Sequence, residues 1–428
     1  MTTTLLLFGV FILMLIISVP IGVSLGIASV VTILVLNPVS VDSFTQTTIQ
    51  GLNSFPLMAV PLFAFAGDIM GKGGISKRLL DLASILFNRV TGGLGVVAIV
   101  ASLFFAAISG TGSGTVAAIG TIMIPAMVAR NYNKAFSGAL VATAGTLGAV
   151  IPPSITMIIY AVTAGVSVTG MFSASIGPGV LIAIALIIYT LYYARKEGYQ
   201  GEGEQFSFKE FIIKFIKAIP ALLLPFIVLG GIYGGVFTPT EAAAVAVVYG
   251  ILVSVFLYKE VKISELPYIG FNAVMLSAAV LIIIGVSSGF GHILTIAQVP
   301  NTISDWILGI SSNVILVMLL INLLLLFVGT FMETNAAIII LVPILLPVVM
   351  ELGVDPLHFG IIMIINLAIG FITPPVGANL FMASQVSQIK FDELVRAIIP
   401  WILVMIVVLL VITFIPSISL WLPSFINN

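Results

Sequence analysis

The chain is 428 residues long, 60% apolar and only 7% charged, with a mean hydropathy of +1.29, whereas soluble domains carry about a quarter charged residues. Such a chain belongs in a bilayer, and its net charge of −1 offers nucleic acid no basic surface. Zero cysteines exclude disulfides, thiol nucleophiles and Cys-based metal sites, and the two histidines, His292 and His358, stand 66 residues apart.

The first Lys or Arg is Lys72, so the opening apolar run lacks the basic flank of a signal peptide and reads as a retained span. Spans of about 20 apolar residues are predicted at 4–19, 20–36, 56–71, 134–168, 176–195, 218–236, 239–257, 268–288, 357–388 and 396–422. Two further apolar stretches, 93–128 and 313–350, are interrupted at their middles by Ser109-Gly110-Thr111-Gly112-Ser113-Gly114 and Gly329-Thr330-Phe331-Met332-Glu333-Thr334-Asn335. Arms of about 15 residues are short for a crossing, which predicts re-entrant hairpins. With that topology all 15 Lys and Arg fall in loops on one side, at 72–92, 129–134, 195–217, 259–266 and 389–396. The other side carries only acids such as Asp42, Asp305, Glu351 and Asp355. The positive-inside rule makes the basic side cytoplasmic and puts both termini outside. Trp306 and Trp421 then suit the outer interfacial belt and Trp401 the inner one.

An internal repeat is visible at an offset of 222 residues, where Pro125, Pro152, Pro153 and Pro178 fall on Pro347, Pro374, Pro375 and Pro400. Gly67 and Gly148 likewise fall on Gly289 and Gly370. Each copy carries an odd number of spans plus one hairpin, which inverts the second copy. Inverted repeats with broken helices are a signature of secondary transporters. The polar stretch 195–217, with Glu197, Gly198, Gly201, Glu202, Gly203 and Glu204, reads as a solvated connector between the halves.

Four segments place polar groups and helix breakers at membrane depth: 109–115, 145–154, 329–335 and 370–379. Double proline removes two backbone donors and leaves upstream carbonyls unpaired. Unpaired carbonyls are tolerated there only against protein or a hydrated cavity. Carbonyls and hydroxyls suit a hard cation such as Na⁺, and half-helix N-termini suit a carboxylate. One such segment alone would read as a proline kink or a packing face; four at repeat-related positions read as a site. Gly110, Gly112 and Gly114 are not followed by a phosphate-loop Lys-Ser/Thr, and Ser113 lacks the Gly-x-Ser-x-Gly elbow because position 111 is Thr. No His-Glu-x-x-His is present. Glu333 at the second hairpin tip is either a functional intramembrane acid or a helix cap. Glu241 reads as a cap, and Asp68 and Arg130 as interfacial.

Phe104-Phe105-Ala106-Ala107-Ile108-Ser109-Gly110, with Ala117-Ala118-Ile119-Gly120-Thr121-Ile122-Met123-Ile124-Pro125, resembles the large membrane subunit of tripartite ATP-independent periplasmic (TRAP) transporters. Gly145-Thr146-Leu147-Gly148 with Ile151-Pro152-Pro153-Ser154 does so too, as does Ile372-Thr373-Pro374-Pro375-Val376-Gly377 with Asn379-Leu380-Phe381. The resemblance covers nearly the whole chain and, in general impression, lies nearest the sialic-acid branch. It implies Na⁺ coupling and an elevator mechanism, in which a domain holding both hairpins slides with substrate past a fixed scaffold. Its partners would be a small four-helix membrane subunit, here a separate polypeptide, and a soluble periplasmic substrate-binding protein, in a bacterial inner membrane.

The expected fold is an all-α polytopic membrane protein of two inverted repeats, each with a re-entrant hairpin and a discontinuous helix. Residues 1–72 and 169–288 are assigned to the scaffold, 73–168 and 289–392 to the transport part, and 393–428 to a final span. Two repeat-related Na⁺ sites are expected, one from Ser109, Ser113, Gly148, Ile151 and Ser154, the other from Gly329, Thr330, Gly370, Thr373 and Val376. Thr111, Ser154, Thr156, Asn335 and Asn379 are the expected side-chain donors to a small carboxylate. The long apolar faces of 4–36 and 218–257 are left for lipid and the small subunit. The rivals are a proton-coupled or binding-protein-independent anion carrier on the same repeat, and an intramembrane enzyme acting on lipid or peptide.

Overall fold

A computed structural model describes residues 2–87, 89–201, 207–310 and 313–426, with the side chains of 304–308 and 310 left aside. Glu202, Gly203 and Glu204 of the expected connector, and the side chains of Asp305 and Trp306, therefore lie outside the described residues. Helices α1 (Thr2–Ile16) and α2 (Ile21–Leu36) pack as a pair joined through Pro20, whose ring suits a helix start. An unanticipated amphipathic helix follows, α3 (Val41–Leu52), where the Ser40 hydroxyl accepts the Ser43 N–H. A 3-10 turn at Phe55–Met58 leads into α4 (Ala59–Lys72).

The basic stretch 72–92, expected as a loop, holds helix α5 (Ile75–Phe87). Ile75, Leu79, Leu80, Leu82 and Ala83 are buried while Lys77 and Asp81 stay exposed, so one face packs inward despite the charge. The first hairpin is α6 (Gly93–Ser109) and α7 (Gly112–Ala129). The first broken helix is α8 (Lys134–Ala144), the single turn α9 (Leu147–Val150) and α10 (Ile155–Ala164), bent by 42°. Helix α11 (Val168–Glu197) closes the first half.

The second half opens with α12 (Phe208–Tyr233), which carries Lys209, Lys214 and Lys217 on helix rather than in the connector. Helix α13 (Pro239–Ile251) starts with Glu241 accepting the Thr238 N–H at 2.8 Å, the expected cap, and runs into a π turn at Leu252–Leu257. Then come α14 (Leu266–Ile296), α15 (Val299–Ile310), the second hairpin α16 (Val314–Phe331) and α17 (Thr334–Glu351), and the second broken helix α18 (Pro356–Gly370) and α19 (Ala378–Ser387). The expected final span 396–422 is two helices, α20 (Phe391–Phe414) and α21 (Ser417–Ile426), because Pro416 cannot continue the first. Trp401, expected at the inner interface, is buried among Tyr189 and Phe136 instead.

The hairpin arms contain 17, 18, 18 and 18 residues rather than about 15. Three of them are long and apolar enough to cross a membrane, so arm length alone does not make the hairpins re-entrant. The 222-residue offset extends from prolines to elements. Helices α7 and α17 start at Gly112 and Thr334, α8 and α18 at Lys134 and Pro356. Their caps match as well, since Asn133 accepts from Phe136 N and Asp355 from Leu357 N and His358 N.

Packing divides the helices into two sets. Helices α1 to α4 gather with α13 and α14, α2, α3 and α4 lying on α14 and α4 on α13. Helices α6 to α10 gather with α16 to α21. Helix α11, assigned with the scaffold from sequence, lies on α6, α9, α10, α18, α20 and α21. The second set holds the driest core, with 147–161 and His358–Gly370 buried on every side. Helices apolar all round need such a position.

Candidate functional site

The first hairpin turns at Gly110, whose φ of +61° suits glycine, and Thr111 is extended before α7 begins. Ser109 Oγ lies 3.0 Å from Thr115 Oγ1, which donates to the Thr111 carbonyl at 2.9 Å. Gly148, in the turn before the first Pro-Pro pair, lies so close to this tip that a methyl group there would meet the Thr111 carbonyl. The Ile155 N–H points at the Gly110 carbonyl at 3.4 Å, and Gly110 also faces the Pro153 carbonyl and the Ser154 Cα. The tip of the first hairpin and the first break thus form one surface of main-chain oxygens and hydroxyls.

Ser154 stands at the N-cap of α10, fully buried, yet its hydroxyl finds no protein partner. A capping serine ordinarily accepts an N–H of the first turn. Thr156, the second residue of α10, is buried two positions on. Asn379 reaches the same place from the other half. Its Nδ2 donates to the Ala142 carbonyl at 3.1 Å, its side chain faces Gly112 and Gly145, and its Oδ1 is buried without a partner. Its own N–H donates to the Phe371 carbonyl across the second break at 2.9 Å. Thr111, Ser154 and Asn379 are therefore brought together around the first tip.

At the second hairpin Gly329 packs on Leu367 and Gly370, two glycine backbones in direct contact. Thr330 donates its proton to the Phe327 carbonyl of its own helix, and Thr373, in the break, donates to the Ile369 carbonyl at the end of α18, so each keeps its oxygen lone pairs. Glu333 is the N-cap of α17, its carboxylate accepting the Ala336 N–H at 3.1 Å. Behind it the Thr334 hydroxyl and Asn335 Oδ1 are buried and unpartnered. Ser113 and Val376 are exposed at the margins of their segments, and the Ile151 side chain packs on Gly179 of α11. Asn335 and the first group sit on different tips.

Thr115 and Thr334 were missed from sequence. Their signal was position: one lies four residues after Thr111, the other beside Glu333. A longer polar chain was missed as well. Asn366 Nδ2 donates to Asn322 Oδ1 at 2.7 Å, Asn322 Nδ2 to Thr413 Oγ1 at 3.1 Å, and His358 Nε2 lies 3.3 Å from the Thr413 carbonyl. All four residues are buried, and a carbonyl partner makes His358 Nε2 the protonated nitrogen. Among the described residues no three His, Cys, Asp or Glu come together as a metal site.

Hairpins, paired breaks and oxygen-lined tips agree with one family over nearly the full length. Residues 8–418 match the family described as tripartite ATP-independent periplasmic transporter, DctM component. The chain belongs to that family. Within it, the chain is similar to an isethionate TRAP transporter permease protein DctMQ of Oleidesulfovibrio alaskensis, at 46% identity over 97% of the chain, which spans 65% of that longer relative. It is 41% identical to a C4-dicarboxylate TRAP transporter large permease protein of Pseudomonas aeruginosa, with 94% of each covered. A sialic acid TRAP large permease protein of Vibrio cholerae is 36% identical over 95% of the chain and 95% of its own length. Relatives named as transporter permeases support a transport subunit over an enzyme. Among solved structures, the YdaH transporter of Alcanivorax borkumensis shares the fold with a TM-score of 0.62 at 14% identity, covering 89% of this chain and 90% of that one.

Proposed function

We propose that this DctM-family chain imports a small organic anion together with Na⁺, as the large membrane subunit of a bacterial inner-membrane TRAP transporter. The observation that carries this reading is a set of buried oxygens with no protein partner: Ser154 Oγ, Thr334 Oγ1, Asn335 Oδ1 and Asn379 Oδ1. They lie at the hairpin tips and helix breaks. A buried polar atom without a partner costs about 1–3 kcal/mol, so its place at a repeat-related tip fits a group that is satisfied by cargo.

Ser109, Gly148, Ile151 and Ser154, with Ser113 at the margin, would hold one cation; Gly329, Thr330, Gly370, Thr373 and Val376 would hold a second. Uncharged oxygens suit Na⁺ better than a proton, which needs a titrating group. Thr111, Ser154, Thr156, Asn379 and, from the second tip, Asn335 would grip the anion without a fixed positive charge. Relatives are named for isethionate, C4-dicarboxylates and sialic acid. A small oxyanion head is their common chemistry, and the identities lean away from the sialic-acid branch.

An elevator motion would slide the helix set of α6 to α11 and α16 to α21 past the set of α1 to α4 and α12 to α14. On packing grounds α11 travels with the first of these. The exposed apolar residues Leu5, Ile12, Ile16, Leu34, Phe226, Val248 and Phe256 leave the stationary set a broad face for a small membrane subunit and lipid. The 15 Lys and Arg orient the protein with both termini periplasmic, where a soluble binding protein would deliver substrate.

Proteoliposomes holding this chain with its small subunit and binding protein test the reading. Accumulation of a C4-dicarboxylate, isethionate or sialic acid should require an inward Na⁺ gradient and the binding protein. Uptake that ignores Na⁺ and collapses with the pH gradient would favour the proton-coupled alternative, and turnover without accumulation an enzyme.

A further inference from the structure

Away from the hairpin tips, a cavity of about 380 Å³ opens between α3 and α14 on one side and α10 and α17 on the other. At ~30 Å³ per water it has room for an ion with part of its hydration shell. Its polar lining is Gln50, Ser54, Thr163, Ser287, Ser288 and Thr295. Among the described residues, no charged side chain lines it.

Three of the hydroxyl protons there are already committed. Thr163 donates to the Ile159 carbonyl at 2.8 Å, Ser288 to Ile284 at 2.9 Å and Thr295 to Gly291 at 2.9 Å. A hydroxyl has one proton and two lone pairs, so these three present only acceptors to the cavity. Ser287 adds a hydroxyl from a residue only 5% exposed, with no protein partner. Gly51 brings the α3 backbone against Ser288, where any side chain would collide with the Ser288 hydroxyl. Half of the polar lining, Thr163, Ser288 and Thr295, thus turns only lone pairs toward a bound ion, and no described Lys or Arg lines the cavity to attract an anion. Without a carboxylate it also cannot meet the charge of a divalent ion, which is bound through anionic oxygens.

We infer that this cavity is a binding site for a small monovalent cation, Na⁺ being the probe, distinct from the hairpin tips. Its walls come from both helix sets, so an ion here bridges them, and its existence does not depend on whether uptake is Na⁺-coupled.

The chain has no cysteine, so one reporter suffices. Val162 lines the cavity with apolar surface only, and Val162→Cys keeps every acceptor. In nanodiscs, maleimide labelling of this thiol should slow roughly tenfold at a Na⁺ concentration about ten times the dissociation constant, following the vacant fraction. Choline at the same ionic strength should give no slowing. The protection should vanish when Ser287→Ala and Ser288→Ala are added, and persist with Ser109→Ala and Thr373→Val at the tips. Protection absent, equal in choline, or retained without the two serines overturns the site. Protection lost only with the tip variants also overturns it, since Na⁺ would then act from the hairpins. Na⁺-independent uptake with the expected protection pattern would sink the coupled-transport reading and leave this site standing.

Discussion

At the first break four residues, 151–154, separate α9 from α10, and everything from 147 to 161 is buried. At the second, seven residues, 371–377, separate α18 from α19, and Pro375 and Val376 are exposed. Both carry a Pro-Pro pair at the 222-residue offset. The first break is sealed by its own hairpin tip, with Asn379 from the other half packed just upstream on Ala142 and Gly145; the second touches its hairpin through the Gly329–Gly370 contact. A shared proline pair ends a helix in both places, but the neighbours decide how much of the break meets solvent.

The strongest way to break this comparison is to add a methyl group at each glycine. Gly148→Ala drives a side chain into the Thr111 carbonyl inside a closed core, which should abolish uptake and destabilise by about 1–3 kcal/mol. Gly370→Ala meets the Gly329 backbone in a region with an exposed flank. It should reduce uptake with the smaller loss of thermal stability. Equal or reversed losses in melting temperature would show that the two breaks are equally sealed.

A second contrast lies in the polar chain, which only the second half possesses. At the 222-residue offset Asn322, His358, Asn366 and Thr413 correspond to Val100, Phe136, Ala144 and Leu191. Asn322→Val leaves Asn366 only its bond to the Ile362 carbonyl, and Asn366→Ala leaves Asn322 Oδ1 without a donor, so each alone should cost about 1–3 kcal/mol. The double change, which copies the first half, should cost clearly less than the sum. Additive losses in denaturant unfolding would mean that the amides do not act as a pair.

The mildest effects compare Ser154 with its counterpart Val376. Ser154→Ala removes a hydroxyl with no protein partner, so stability should hardly change while the apparent KM for substrate or Na⁺ rises about tenfold, the equivalent of ~1.4 kcal/mol. Val376→Ala, at an exposed position, should change neither by more than about twofold, below ~0.5 kcal/mol on the same scale. If Ser154→Ala transports with unchanged KM, cargo does not touch the first break.

Much of the architecture was legible in the residues themselves. Apolar runs of span length, the proline offset and the four polar interruptions depend on local chemistry: length against bilayer thickness, missing N–H groups, glycine's freedom. That is why hairpins and breaks appear where Gly110, Pro152, Pro153, Pro374 and Pro375 place them. Charge misled where a helix could hide one face, so α5 and the start of α12 looked like loops, since a basic stretch records exposure on one side only. Trp401 was misplaced for a related reason: an aromatic at a span end suits an interface equally well as a buried stack with Phe136 and Tyr189.

Tertiary structure alone decided which segments meet. Nothing in the neighbours of Asn379 tells that its amide crosses to Ala142, or that Thr163 and Ser288 line one cavity although 125 positions separate them. The set to which α11 belongs is of the same kind. Local sequence dictates where a helix starts, stops and shows polar atoms; the pairing of helices far apart in the chain comes from how their surfaces fit, which no single segment encodes.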